Sequence, residues 1–200
     1  MRDVDDMRAA PGEDVSFAVA LVNTRHMRAG TEVDLLADAA TAGRWLTKRG
    51  LLPGAARLAG PDDDADAIAE RLRVLREAVR TLFAARFAGG QPPAADLALV
   101  NATLADAPLV PSLTWDGAGP RRGERPAGGD PLAVALARVA SDALVVLTAS
   151  DGGRPGLAPC AAHGCIRWFL RTHAARQWCS NRCGDRVRAA RHYARRRTQS

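Results

Sequence analysis

The chain has 200 residues, enough for one domain or a domain with a small module, and its 47% hydrophobic content excludes wholesale disorder. The formal charge of +6 is unevenly placed: Arg154 to Ser200 holds eleven arginines and one acid, Asp185, for +10, while residues 1–153 hold the other 17 basic and 21 acidic side chains, for −4. An acidic body with a basic end points to an anionic partner for that end, nucleic acid before an acidic protein or a membrane surface.

Residues 1–12 read as a frayed, polar start and not as a secretory signal. Val15 to Arg28 carries the apolar run VSFAVALV and fits either a helix or a buried strand. Asp38 can cap a helix through about Arg49, with Trp45 and Leu46 on it and Gly50 as its stop, and Leu51 to Gly54 makes a turn. The clearest helix runs from about Asp64 to Ala88, where Ile68, Leu72, Leu75, Val79, Leu82 and Phe83 recur at helical spacing. Gly89-Gly90 ends it, and Leu97, Val100 and Leu104 mark a shorter helix. Leu109 to Trp115 has strand character interrupted by Pro111, and residues 117–130 read as a loop. Asp130 caps a buried helix from Pro131 to about Ala149. That apolar stretch is broken by Arg138 and Asp142 and is not expected to span a membrane. A soluble, cytoplasmic protein is expected, with its thiols in a reducing compartment.

Residues 151–159 read as a linker, and all four cysteines follow it. The organisation predicted is mainly α: a helical body over residues 13–150 with a short strand element, then a finger over 160–200. A module that small needs a staple beyond its apolar core.

The cysteines supply one. Four residues lie between Cys160 and Cys165, three between Cys179 and Cys183, and thirteen between the two pairs. Two close pairs around a hairpin-length insert is how a tetrahedral zinc site is built from a short segment. Four thiolates also admit an iron–sulfur centre, and His163 and His173 lie near enough to replace a ligand. The insert predicts two short strands around a turn at Thr172 to Ala175, with Trp168, Phe169 and Trp178 over the metal. Ser180 is a natural helix cap that puts Cys183 in the first turn of the helix after it. Turn, hairpin and helix together make a treble-clef-like finger. A closed four-cysteine shell leaves no position for a reacting water.

The last helix, Asn181 to about Arg197, carries Arg182, Arg186, Arg188, Arg191, Arg195, Arg196 and Arg197. Only Lys48 of the 28 basic residues is lysine, so the clustering says more than the choice of arginine. Cys183, Val187, Ala190 and Ala194 share one face that would pack on the finger. The arginines are left for phosphates and one or two guanine edges of a DNA major groove. Binding of single-stranded RNA by exposed aromatics is the competing reading, and an acidic protein partner the third. In the body, Asn23, Thr24 and Arg25 form a polar cluster beside an apolar run, a candidate small-molecule pocket. Their plainer role is to cap an element through side-chain hydrogen bonds. No nucleophile–base spacing, phosphate loop or acid pair is present, so no enzymatic activity is expected.

The motifs C-A-A-H-G-C, R-W-F-L and R-Q-W-C-S-N-R-C-G-D-R resemble the CGNR zinc finger, with Asp185 where the motif has Asn. Val22-Asn23-Thr24, Leu35-Leu36, Trp45-Leu46 and Gly50-Leu51-Leu52 make the body similar to the ABATE domain that commonly precedes that finger, with Ala20 where an Asp is common. The resemblance implies a bacterial stress-response transcription regulator that binds zinc and DNA, its body sensing an effector or pairing into a homodimer.

Overall fold

The computed structural model describes residues 9–52, 65–149 and 156–198. The turn expected at Leu51 to Gly54 falls partly outside them. Six helices and three two-stranded antiparallel hairpins follow one another along the described residues. They are α1 (Phe17–Val22), β1 (Arg25–Arg28), β2 (Thr31–Asp34), α2 (Ala39–Lys48), α3 (Ala65–Ala88), α4 (Ala94–Asp106), β3 (Leu109–Asp116), β4 (Gly119–Pro126), α5 (Pro131–Thr148), β5 (Leu157–Pro159), β6 (Trp168–Leu170) and α6 (Asn181–Thr198). About half of the chain is helical.

Local chemistry sets the helix ends. The Ser16 side chain caps α1, Asp38 and Thr41 form a reciprocal capping box at α2, and Asp130 accepts from Leu132 N and Ala133 N ahead of α5. The core lies among α1, α3 and α5, where Leu21, Val22, Leu72, Leu75, Val79, Phe83, Leu136 and Val139 are buried together. The helix α1 is short but almost wholly buried, from Ala18 to Val22. Asp142, which breaks the apolar run of α5, closes the α1 N-terminus by accepting from Ser16 Oγ at 2.5 Å and Ala18 N at 2.8 Å. By length and composition α5 could cross a membrane, yet eight of its residues, from Leu132 to Ala143, are buried against the protein.

Several expectations change. The segment 15–28 is both of its alternatives in turn, a buried helix and then a strand. Residues 119–126 pair with β3 instead of looping, because the Asp116 to Gly119 turn brings two eight-residue segments into register despite their glycines and prolines. In the finger, the partner of β6 is β5, upstream of the first cysteine pair and inside the stretch read as linker. Residues 171–180 form turns and not a second strand.

The segment expected to fray is anchored from Ala10 onward. Ala10 is 1% exposed and packs beside the cysteines, and Leu170 N donates to Pro11 O at 2.8 Å. Gly12 adopts φ +96°, and a Cβ there would stand 2.6 Å from Leu170 Cγ. The N-terminal turn thus lies directly on the finger.

Candidate metal centre

The four cysteine Sγ atoms lie within 4.8 Å of one another. Cys165 and Cys179 sulfurs are 3.7 Å apart, as are those of Cys179 and Cys183. Four sulfurs placed tetrahedrally at about 2.3 Å from zinc are separated by roughly 3.8 Å, so the donor set fits the ion in number, softness and spacing. His163 and His173 are exposed and stand outside this cluster. Hydrogen bonds from Cys165 and Cys179 lower the Cys160 thiol's pKa, and the same contact with Cys160 raises that of Cys165, so the thiols titrate together.

Each cysteine has a local reason for its place. Cys160 and Cys165 bracket the knuckle between β5 and β6, which Cys160 N closes on Arg167 O at 2.9 Å. Cys183 N donates to Ser180 Oγ at 3.2 Å, the helix cap expected from the sequence, and Cys179 N donates toward Cys160 Sγ at 3.4 Å. Strand alternation splits the aromatics. Phe169 faces the cysteines, whereas Trp168 turns away and packs edge-on against Phe83 of α3, with centroids 5.7 Å apart. The expectation that Trp168 covers the metal is therefore corrected: it belongs to the body core.

Gly184 and Arg186 of the C-G-D-R run also act locally. A Cβ on Gly184 would lie 3.2 Å from Trp178 Cε3 and 3.1 Å from Arg188 Nη1, so its bare backbone admits both. Arg186 Nη2 donates to His163 O at 3.1 Å, tying α6 to the first knuckle. Arg188 pairs with Asp185 at 2.6 Å and lies over Trp178, 5.8 Å from its centroid. Asp185 thus meets its charge one helical turn along.

Beyond Val187 the helix leaves the finger. Ala190 and Ala194 are exposed, not packed as expected, because the small module ends one turn after Cys183. Arg182, Arg191, Arg195, Arg196 and Arg197 are exposed with them.

Asn23, Thr24 and Arg25 are brought together, but as structural polar groups. Asn23 Nδ2 donates to Trp168 O at 2.7 Å and Glu13 Oε1 at 2.6 Å, while Asn23 Oδ1 accepts from Trp168 N at 2.8 Å. The side chain pairs with Trp168 as a strand would, clasping α1 to β6. Glu13 also pairs with buried Arg167, and Arg80 of α3 donates to Val22 O at 2.9 Å and Ile166 O at 3.1 Å. Thr24 Oγ1 donates to Leu21 O at 2.6 Å and accepts from Arg76, itself bound to Asp34 through two contacts. Burial opposes ionisation of Asp34, but the Arg76 guanidinium wins and holds its carboxyl low. Arg25 pairs with Glu77 at 3.1 Å.

Two features had no signal along the chain. One is Glu13, whose partner Arg167 lies far from it in sequence. The other is a cleft of about 190 Å³ between α3, α4 and α5. Val74, Leu75, Leu99 and Leu136 line it together with Glu70, Arg71 and Asp106.

A helical body bearing a four-cysteine finger with a basic helix is the architecture of a zinc-finger protein. Residues 16–150 match ABATE, described as a putative stress-induced transcription regulator, and residues 157–196 match the CGNR zinc finger. The chain belongs to the ABATE family and carries a CGNR zinc finger, and its cofactor is zinc. No curated protein gives a match.

Proposed function

We propose that the protein is a DNA-binding transcriptional regulator of stress responses, cytoplasmic and without catalytic activity, whose treble-clef-like finger presents α6 to DNA. The observation that carries this reading is the run of exposed arginines on a helix that projects past the finger's packing limit at Val187. A helix of this width fits the major groove, and its guanidinium groups suit phosphates and guanine edges. When bound, zinc supplies a four-thiolate cross-link and no reaction, since the shell is closed. Cys160, Cys165, Cys179 and Cys183 hold it, Arg186 fastens α6 to the knuckle, and Arg182, Arg191, Arg195 and Arg196 face the nucleic acid. Arg188 contributes by stacking on Trp178.

Single-stranded RNA is the weaker reading. Stacking on bases needs open aromatic faces, and in the finger Trp168 and Phe169 are buried and Trp178 lies under Arg188. That leaves Tyr193 of α6 as the one exposed Phe, Tyr or Trp among the described finger residues, too few for a stacking platform. An effector, where the body senses one, fits the cleft between α3, α4 and α5 better than the Asn23 cluster, where Asn23 is engaged with Glu13 and Trp168, Thr24 with Leu21 and Arg76, and Arg25 with Glu77. The cleft's lining is mainly apolar, with Arg71 beside Glu70 and Asp106 and with Glu70 already paired to Arg73, so it suits a small, largely apolar molecule.

The test is duplex binding by zinc-loaded protein across a salt series, followed by selection from a random DNA pool. The logarithm of affinity should fall linearly with the logarithm of salt, and Arg191→Ala should flatten that slope by about one charge. Cys179→Ser should abolish binding. Salt-insensitive or metal-independent binding would sink the reading.

A further inference from the structure

The hairpin of β3 and β4 is amphipathic, and its apolar side is open to solvent. Its register pairs Leu109 with Pro126, Pro111 with Glu124, Leu113 with Arg122 and Trp115 with Pro120. Strand alternation puts these eight residues on one face. The other face is mainly polar, carrying Ser112, Thr114, Asp116, Arg121 and Arg125 beside Val110, and Arg121 pairs there with Asp116 at 2.7 Å. That side is built for water. On the first, Leu113 is 72% exposed and Trp115 74%. The hairpin meets the body at its base, where Leu109 packs with Ala107, Ala133 and Ala137 and Ala127 N bonds to Pro108 O. A two-stranded hairpin is marginal by itself in water, and antiparallel sheets normally bury their apolar side.

We infer that this face is a self-association surface whose occupant is the same face of a second copy of the chain. The edges are unsuited to strand addition, because Pro111, Pro120 and Pro126 remove donors from both strands, so a partner must stack face to face. The pattern is also self-complementary. A twofold axis between the stacked sheets, crossing the strands at the Ser112–Gly123 pair, lays Leu113 over Pro111 of the partner subunit. Trp115 then reaches the open edge of Leu109 of the partner subunit, a residue half-buried against its own α5, and Pro120 meets Pro126 of the partner subunit. The same axis sets Arg122 against Glu124 of the partner subunit. Every apolar residue finds an apolar one and each charge its opposite. The stripe is net neutral, Arg122 against Glu124, and so lacks the positive field that nucleic-acid binding draws on. At standard spacings the face measures roughly 26 Å by 10 Å. That is well below the ~800 Å² per partner of a standard interface. The dimer is therefore reversible and concentration-dependent, with Trp115 as its anchor. Such a dimer would bring two fingers to one duplex, and only in that purpose does it rest on the proposed function.

Sedimentation of the zinc-loaded full chain over a concentration series tests it without DNA. A monomer–dimer equilibrium is expected. Trp115→Ser should leave a monomer with unchanged thermal stability, since the hairpin touches the core only near Leu109. Arg122→Glu and Glu124→Arg should each weaken the dimer about tenfold or more, by juxtaposing like charges. The two single variants mixed together, or the double variant alone, should recover it. A wild-type monomer at the highest soluble concentration would overturn the inference, as would a dimer indifferent to Trp115→Ser or a charge swap that recovers nothing. DNA binding by a strict monomer would leave the functional reading standing while this inference fell.

Discussion

Replacing Asn23 with alanine tests whether body and finger are one cooperative structure. The side chain makes three buried hydrogen bonds, two of them to the Trp168 backbone and one to Glu13. Asn23→Ala orphans the N–H and C=O of Trp168 inside the protein, at about 1–3 kcal/mol for each buried group left unpaired. Glu13 keeps its contact with Arg167, so its carboxylate adds little to the loss. Water entering the space left by the amide pulls the total toward the lower end, giving a destabilisation of about 2–4 kcal/mol. For a chain of this length that lowers Tm by roughly 4–16 °C. Thermal unfolding should be followed by circular dichroism and, in parallel, by a chromogenic indicator for released zinc. In the wild type the two signals should share one midpoint. In Asn23→Ala zinc should leave at a lower temperature than the helical signal is lost, because β6 is no longer clasped to α1. Asn23→Asp should be worse than alanine, since it sets a carboxylate against Trp168 O and Glu13. A Tm within about 1 °C of wild type, with zinc release still coincident, would refute the argument, because so small a shift lies below any loss expected for an orphaned pair.

His26 is buried, and burial lowers its pKa below 6.5 despite the hydrogen bond to Asn23 O and the Glu13 charge. The unfolded chain therefore takes up the proton first, so this stability is present above about pH 6.5 and is lost as pH falls below it. At saturating zinc, His26→Gln should unfold with a shallower acid-side slope than wild type in the same buffers. Arg76→Met should cost about 3 kcal/mol in urea unfolding, the low end for breaking a buried pair, because Asp34 keeps some solvent. Gly184→Ala should be nearly neutral, as about 1 kcal/mol of helix propensity offsets the tight approach to Trp178. Gly184→Val should lower zinc affinity in a competition titration by displacing the ring.

The features legible in the sequence were those fixed by neighbours along the chain. Caps at Asp38 and Asp130 and the 3.6-residue period of α3 are local, and so is the cysteine spacing, which is short enough that the segment can close on one ion. The features that escaped depend on distant partners. The strand β4 reads as a loop because Gly119, Pro120, Arg121, Arg122 and Gly123 have poor strand propensity, and only pairing with β3 makes them extended. The strand β5 looks like linker for the same reason: three residues gain their identity from β6 across the knuckle. Asn23 was visible as an oddity beside an apolar run. Its partner Trp168 lies 145 residues away, so its role was not.

Long-range contacts of this kind also hold the finger. The direction of α6 is set near its start, by Cys183, Arg186 and Val187, since Ala190 and Ala194 further along that face are exposed. The finger in turn is set against the body by the Ala10–Gly12 turn, Asn23 and Arg80. The last comes from α3, and so does Phe83, which packs on Trp168. Leu75, from the same helix, lines the cleft among α3, α4 and α5. Roughly eight residues of helix separate Leu75 from Phe83, about 12 Å. A ligand that shifted α3 in the cleft would thus move the groups that grip β6 without touching the metal. Proximity alone does not make coupling; α3 must have two arrangements of comparable free energy. Polar contacts can be exchanged in discrete steps, and Arg80 binds one carbonyl on each side of the joint. Arg80 and Phe83 are α3 side chains that reach β6 and the residues before it, and Arg80 alone of the two does so through polar contacts.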